Sequence, residues 1–278
     1  MQEINLKTLN LKKLNQIQDK QNREGSIYHD EKIAFKIYDK LIPSEKERKN
    51  IILNELSSIY PIEHVVWPMD KIVSVTRKPL FHKEITQTEG NTMKYIPDAT
   101  QLFDFKEVSL DGKIFSDIVI SSSKTLEEIH KNGIFVPDLS FSNIIFDKNF
   151  EHYFVDFDSV SFGKNNGVLS GMLRWYFRYK GIDLEVKPNV NCDKISLILH
   201  FLYVILDKSI LSVNNKEYDR ISEQIEVLKD LKEVVLEIKK KENVIPTVPY
   251  LHEIIKENNN FSLKVEKNSC HNKKNIIY

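Results

Sequence analysis

The strongest constraint in this chain is the run ISLILHFLYVIL at residues 195–206, bounded by Asp193 and Asp207. Its length and even apolarity read as one helix with no polar side. Twelve residues are too few to cross a bilayer. A helix that is apolar all round belongs at the centre of a folded domain. The chain has 278 residues, enough for one large domain or two small ones, and 41% are hydrophobic, which is ample for a core. Formal net charge is zero, so nothing marks a general nucleic-acid or membrane binder. Cys192 and Cys270 are far apart and lack metal-ligand spacing, which fits a reducing, cytoplasmic setting without disulfides. The first residues, MQEINLKTLNLKK, show no secretory h-region.

Two halves differ in pattern. Residues 1–22 are polar with sparse leucines. GSIYHDEKIAFKIY, from Gly25 to Tyr38, reads as two strands around a His29-Asp30-Glu31 turn. A helix follows over SEKERKNIILNELSSIY, with Ser44 as its expected N-cap and Glu47 as the box partner. VVWP, KIVSV and a segment near Asn91–Ile96 read as further strands. The remainder is mostly helical: 111–132, stopped by Asn132-Gly133, then the apolar helix, a charged helix near 217–241 and a short one near 249–257. Residues 161–192, with Gly163, Gly167, Gly171 and Gly181, read as irregular, and the tail after Asn258 as frayed. The expected architecture is α+β and bilobal: a strand-rich lobe with one helix over 1–97, a larger helical lobe over 98–258, and a tail, 259–278.

Between the helices lie two acidic clusters beside strand-like apolar runs, DLSFSN and VDFD. Asp138 and Asn143 stand in the first and Asp156 in the second. Two carboxylates and an amide oxygen in this order suit a hard cation such as Mg²⁺, which takes oxygen ligands and keeps waters. Asn143 and Asp156 can supply the protein's ligands. Asp138 is then left to accept a proton from a hydroxyl. Upstream, Lys36 sits in the apolar strand IAFKIY, a costly place for an ammonium without a partner. Glu45, Glu47 and Glu55 in the following helix are on offer. Gly25 stands where a backbone can come close to phosphate.

In this order, from about Gly25 to Leu206, the set resembles the eukaryotic-type protein kinase family. Within it the bacterial Ser/Thr-kinase-like branch is most similar, through REGSIY, VVWPMD and DFDSV. The resemblance implies a bilobal protein-kinase-like fold and ATP-dependent phosphotransfer, most simply to protein serine or threonine. It implies that Lys36, held by Glu47, contacts ATP phosphates, that Gly25 and Ile27 line the nucleotide, and that Met93 and Tyr95 belong to an adenine-binding hinge. Asp138 takes the base position, Asn143 and Asp156 the Mg²⁺ positions, and residues 156–193 the activation segment, ahead of the central helix led by Asp193. An unidentified protein hydroxyl acceptor is the implied partner. A pseudokinase scaffold and a small-molecule kinase of the same fold are the alternatives.

The motifs also depart from the family pattern. KQNREG keeps one glycine of three, with Lys20 and Asn22 in the other places. Val136-Pro137 precede Asp138 without the usual arginine, so switching through that arginine is not expected. Ser140 replaces a lysine that steadies the γ-phosphate. Asp158 stands where a glycine is usual and is expected to face solvent. No Ala-Pro-Glu triplet precedes Asp193. His130 is expected to pack and cap, Trp175, Tyr176 and Tyr179 to cover the surface, and Tyr38 to fill its strand.

Overall fold

The computed structural model of the chain describes residues 1–17, 24–78, 83–105, 111–162 and 167–255. Lys20, Asn22, Gly163, Cys270 and the tail 259–278 lie outside the described residues. The chain is mixed α+β, with a six-stranded sheet in its N-terminal part and helices later. Strands β1 (Glu3–Asn5), β2 (Asn15–Ile17), β3 (Ser26–His29) and β4 (Ile33–Ile37) precede helix α1 (Pro43–Leu56), and β5 (Pro68–Lys78) and β6 (Lys83–Lys94) follow it. The spatial order is β1-β5-β6-β4-β3-β2, antiparallel except that β1 runs parallel to β5.

The period of two along β4 decides what each sheet face does. Phe35 and Ile37 point to one side, where with Ile72 they form a small core covered by Leu6, Leu9, Leu11 and Leu14. The sparse leucines of the N-terminal segment thus have a use that a weak sequence signal hides. They sit in two 3-10 turns and their flanks, too irregular for a helical period. Ala34, Lys36 and Tyr38 point to the other face, toward α1.

Helix α1 buries Lys49, Ile52, Leu53 and Leu56, a stripe at i, i+3, i+4 and i+7. Its start differs from the sequence expectation. Pro43 occupies the first turn, where it loses no hydrogen bond, and Ile42 N–H donates to the Glu45 carboxylate at 3.1 Å, so Glu45, not Glu47, closes the turn. Of VVWP, Pro68 opens β5 opposite Met93, and Val65 makes an isolated parallel bridge to Phe154.

The later part holds a three-stranded sheet of β7 (Thr100–Gln101), β8 (Ile144–Phe146) and β9 (His152–Phe154), together with α2 (Gly112–Lys131), α3 (Gly171–Lys180) and α4 (Val190–Leu206). It closes with α5 (Asn215–Ser222), α6 (Glu226–Asp230), α7 (Lys232–Lys239) and α8 (Leu251–Ile254). Gly133 follows α2 in the left-handed region, where glycine meets no Cβ penalty. Helix α4 has Ile195, Leu197, Ile198, Leu199, Phe201 and Leu202 all buried, as its composition predicts. Two expectations are corrected. Residues 171–180, read as irregular, form α3, because Leu173, Tyr176 and Phe177 give it one buried face and Ser170 caps it through Leu173 N–H at 3.1 Å. The single helix near 217–241 is three short ones, because the chain turns at Gln224 and again at Leu231 to bury Val227, Leu228, Leu231 and Val235. No helix among the described residues is long and apolar enough to cross a membrane.

One continuous core runs from Ile52 and Leu56 of α1 through Trp67 to α2, α4 and the last helices. Within the sheet, neighbouring backbone comes close to β4 at two glycines. A Cβ on Gly90 of β6 would lie 2.1 Å from the Lys36 carbonyl oxygen, and one on Gly25 would lie 1.7 Å from that of Ile37. Backbone blocks both positions, so no side-chain rotation relieves the clash. Gly90→Ala is therefore expected to lower unfolding free energy by at least about 2 kcal/mol in urea titrations. An unchanged midpoint would mean that β4 and β6 do not approach so closely.

Candidate functional site

The site is assembled from the chain before β3, β4, β6, α1, the loop 136–143 and the turn after β9. The loop comes first, because it is tied down almost residue by residue. Asp193, fully buried at the start of α4, accepts from Val136 N–H at 2.6 Å and pairs with His130 Nε2 at 2.9 Å. His130 Nδ1 lies 2.9 Å from the Tyr250 hydroxyl, so this histidine braces the loop from behind. Ser196 Oγ donates to Leu139 O at 2.8 Å, and Ser170 N–H donates to Pro137 O at 2.8 Å. Asn143 Nδ2 donates to Asp138 O at 3.0 Å, joining the two ends of DLSFSN. Asn143 spends its N–H there, which leaves its Oδ1 as the ligand end.

The turn after β9 answers why acids sit beside apolar runs. Asp156 adopts φ 64° and ψ 36°, the left-handed region that costs a non-glycine residue about 1 kcal/mol or more. The turn sends Phe157 into the core, against Trp67 at a ring distance of 5.4 Å, while Asp156 and Asp158 face the sheet.

Lys36 Nζ meets Asp156 Oδ1, Asp158 Oδ1 at 3.1 Å and Glu24 Oε2 at 2.5 Å. The partner expected from α1 is therefore corrected. Glu47 is exposed, and neither it nor half-buried Glu55 is an ion partner of Lys36 among the described residues. The inward position on α1 belongs to Lys49, whose side chain has no exposure. Its ammonium reaches Glu24 Oε1 at 2.7 Å, Asp158 Oδ1 at 2.9 Å and Ser159 Oγ at 2.6 Å. The helix thus offers a cation where the resemblance predicts an acid.

Asp158 is the second correction. It is 2% exposed and faces the protein, not solvent. Oδ1 takes the two ammoniums, and Oδ2 takes the Tyr38 hydroxyl and Asn91 Nδ2, the latter at 2.8 Å. Tyr38 is accordingly more than strand filler: it is fully buried and also receives a bond from Asn91 Nδ2 at 2.7 Å. Burial by itself would raise the Asp158 carboxyl. The Lys36 and Lys49 ammoniums outweigh that and hold it well below the usual range. Burial likewise opposes the charge on Lys36, and Asp156, Asp158 and Glu24 overcome it, so this lysine stays protonated. Asp156 moves up, through burial, against the pull of Lys36.

Asp138 behaves differently. Burial, then the nearby Asp156 and Glu24 charges, push its carboxyl up to about 7, with Lys49 and Arg174 opposing. A carboxyl in that range exchanges a proton near neutrality.

Sequence reasoning missed Glu24, Lys49, Tyr38, Asn91 and Asp158. For Lys49 a signal exists: the stripe Ile52-Leu53-Leu56 extended one turn back lands on it. For Tyr38 it is the shared face with Lys36, two residues away. Glu24 and Asn91 carry no local mark.

Of the remaining expected site residues, Ile27 stands opposite Lys36 in the β3–β4 register and shares its face. Gly25 is buried and packed on Ile37, so its lack of Cβ is needed by the strand itself. Met93 pairs with Ala34, and Tyr95 N–H donates to Lys32 O at 2.9 Å while its ring stacks on His29 at 4.0 Å. Both are thereby committed to β3 and β4. The intervening Lys94 turns its peptide groups away from β4, as ladder alternation requires. Tyr176 is fully buried, Tyr179 donates to Lys239 O at 3.1 Å, and Trp175 is 42% exposed.

Two measurements check this geometry. Asp158→Ala removes the acceptor shared by two buried ammoniums, a hydroxyl and an amide, and is expected to cost about 3–5 kcal/mol of stability. Glu47→Gln, on the exposed face, should change it by less than about 0.5 kcal/mol. Equal effects would refute the assignment. In carboxyl-resolved NMR, Asp138 should titrate near 7, and Asp156→Asn should move it down by removing a like charge. A midpoint near 4 in the parent protein would show an open, solvated carboxylate instead.

No protein-family model matches the chain, and no curated protein matches it.

Proposed function

We propose that this protein is an ATP-dependent phosphotransferase on a bilobal protein-kinase-like fold, acting on a hydroxyl acceptor, most simply protein serine or threonine. The observation that carries the reading is the meeting of Lys36 on β4 with Asp156 on the turn after β9, 120 residues away in sequence, beside a braced loop bearing Asp138 and Asn143. The six-stranded sheet with one helix, followed by the helical part, agrees with this layout, with 1–97 and 98–258 as the two lobes.

In this reading Lys36 contacts the nucleotide's phosphates. Asn143 Oδ1 and Asp156 supply oxygen ligands for Mg²⁺, and a left-handed aspartate beside a buried ammonium is a donor set that suits a hard cation and its phosphate. Mg²⁺ bound there supplies charge neutralisation on phosphate oxygens. Asp138 orients the acceptor hydroxyl and takes its proton, a task its raised proton affinity fits. The peptide of Lys94, free of β4, is the backbone edge for adenine. Rigid positioning carries most of the catalysis in such transfers, and the hydrogen-bonded loop 136–143 provides it.

Asp156→Ala is expected to abolish transfer of labelled γ-phosphate from ATP to the protein itself and to generic hydroxyl acceptors, with the fold retained. Transfer at the parent rate would sink the assignment. A second reading, a nucleotide-regulated scaffold, draws on one observation: both buried lysines are already neutralised by the protein's own acids. It predicts a thermal shift with ATP and Mg²⁺ but no turnover.

A further inference from the structure

The phosphotransferase reading leaves Lys49 without a role, and the geometry around it is specific. Two ammoniums from different elements, Lys36 of β4 and Lys49 of α1, converge on the same two acids. One of those acids, Asp158, is locked by donors from β4, β6 and α1 and is almost wholly buried. The other, Glu24, is the more exposed of the two. It stands on the irregular chain before β3, its side chain is 24% exposed, and its two oxygens bridge the ammoniums, Oε2 to Lys36 at 2.5 Å and Oε1 to Lys49 at 2.7 Å.

A carboxylate that spans two ammoniums, one oxygen on each, makes the contacts that two oxygens of a phosphate group would make. Taking Glu24 away leaves Lys36 with Asp156 and Asp158, and Lys49 with Asp158 and Ser159, so neither lysine is stranded. Taking Asp158 away leaves Lys36 with Asp156 and Glu24 and Lys49 with Glu24 and Ser159, but it also removes the buried acceptor of Tyr38 and Asn91, which Glu24 does not share. The exchangeable anion is therefore Glu24.

We propose that Lys36 and Lys49 form a two-lysine phosphate cradle, and that Glu24 is the built-in counterion whose place an oligophosphate takes. The proposal deepens the phosphotransferase reading and rests on it. Lys49 is then a phosphate-binding residue supplied by α1, and Asp158 is a positioning residue that aims both ammoniums. Glu24 sets the affinity: it competes for the same two cations and leaves only for a ligand of higher charge.

Inorganic tripolyphosphate tests this without nucleotide contacts or turnover. Its binding is measured by calorimetry on the parent protein, Glu24→Gln, Lys49→Met and the double variant, with adenosine as a phosphate-free control. Glu24→Gln is expected to tighten tripolyphosphate about tenfold, the scale of one charge-assisted contact. Lys49→Met is expected to weaken it about tenfold, with or without Glu24→Gln, and adenosine should be unmoved. Glu24→Gln alone decides the matter should Lys49→Met not fold, because the Glu24 side chain is partly exposed and both lysines keep other partners without it.

Unchanged tripolyphosphate affinity in Glu24→Gln, with or without a lowered melting temperature, means a purely structural ion pair and overturns the proposal. Weakening in Glu24→Gln, the sign expected if Glu24 held a cation, overturns it too. If the parent protein transfers γ-phosphate while these affinities stay fixed, only the cradle fails. If neither the parent nor Glu24→Gln binds tripolyphosphate or ATP, the phosphotransferase reading fails with it.

Discussion

The carboxylate of Asp158 is the interaction on which the site's architecture depends. It is nearly inaccessible to water, and it receives donors from β4, β6 and α1 at once. A buried charge is tolerated only where several donors replace its hydration, and breaking one such set is far more costly than any exposed ion pair. Because these donors come from separate elements, the carboxylate also fixes their spacing. The sheet, the helix and the turn after β9 cannot drift without stranding an ammonium or a phenol in a dry place.

A second device holds the other wall. Asp193, Ser196 and Ser170 leave the loop 136–143 little freedom, since they take up its peptide groups from the side of the core, and His130 holds Asp193 in place. The Asp138 carboxyl is the part of this loop that faces the charged cluster. Burial, and then the acids among its neighbours in that cluster, keep its proton on to higher pH than a solvated aspartate would. The same cluster stabilises charge at Asp158 and opposes it at Asp138. Burial raises both carboxyls; at Asp158 two ammoniums overcome it, while at Asp138 nearby carboxylates add to it.

The fold was legible where the pattern is local and repeated. The hairpin β3–β4, the helix stopped at Gly133 and the buried α4 follow from alternation, glycine placement and continuous apolarity. The N-terminal strands were not legible, because three-residue strands carry no period and take their partners from distant chain. Helix α3 was hidden by the glycines around it, which mark its ends and not its interior. Of the site, Lys36, Asp138, Asn143 and Asp156 stand out because each is a polar group in an apolar setting. Glu47 misled because helix spacing allows several glutamates to face a lysine, and the choice among them depends on which stripe the core claims. The stripe ending at Leu56 claims Lys49 and turns Glu47 to water.

The amino-acid sequence alone determined the mixed α+β class and the central helix, and marked Lys36 and Asp156 as charged groups in apolar runs, since these rest on periodicity and on the cost of burying charge. Only the tertiary structure decided who partners whom. Ion pairing between Glu24, Lys36, Lys49 and Asp158 joins residues up to 122 positions apart, and each has other candidates of the right charge nearby in sequence. Coulomb attraction does not discriminate among those candidates by spacing along the chain. Packing does, by choosing which side chains are left in a place without water.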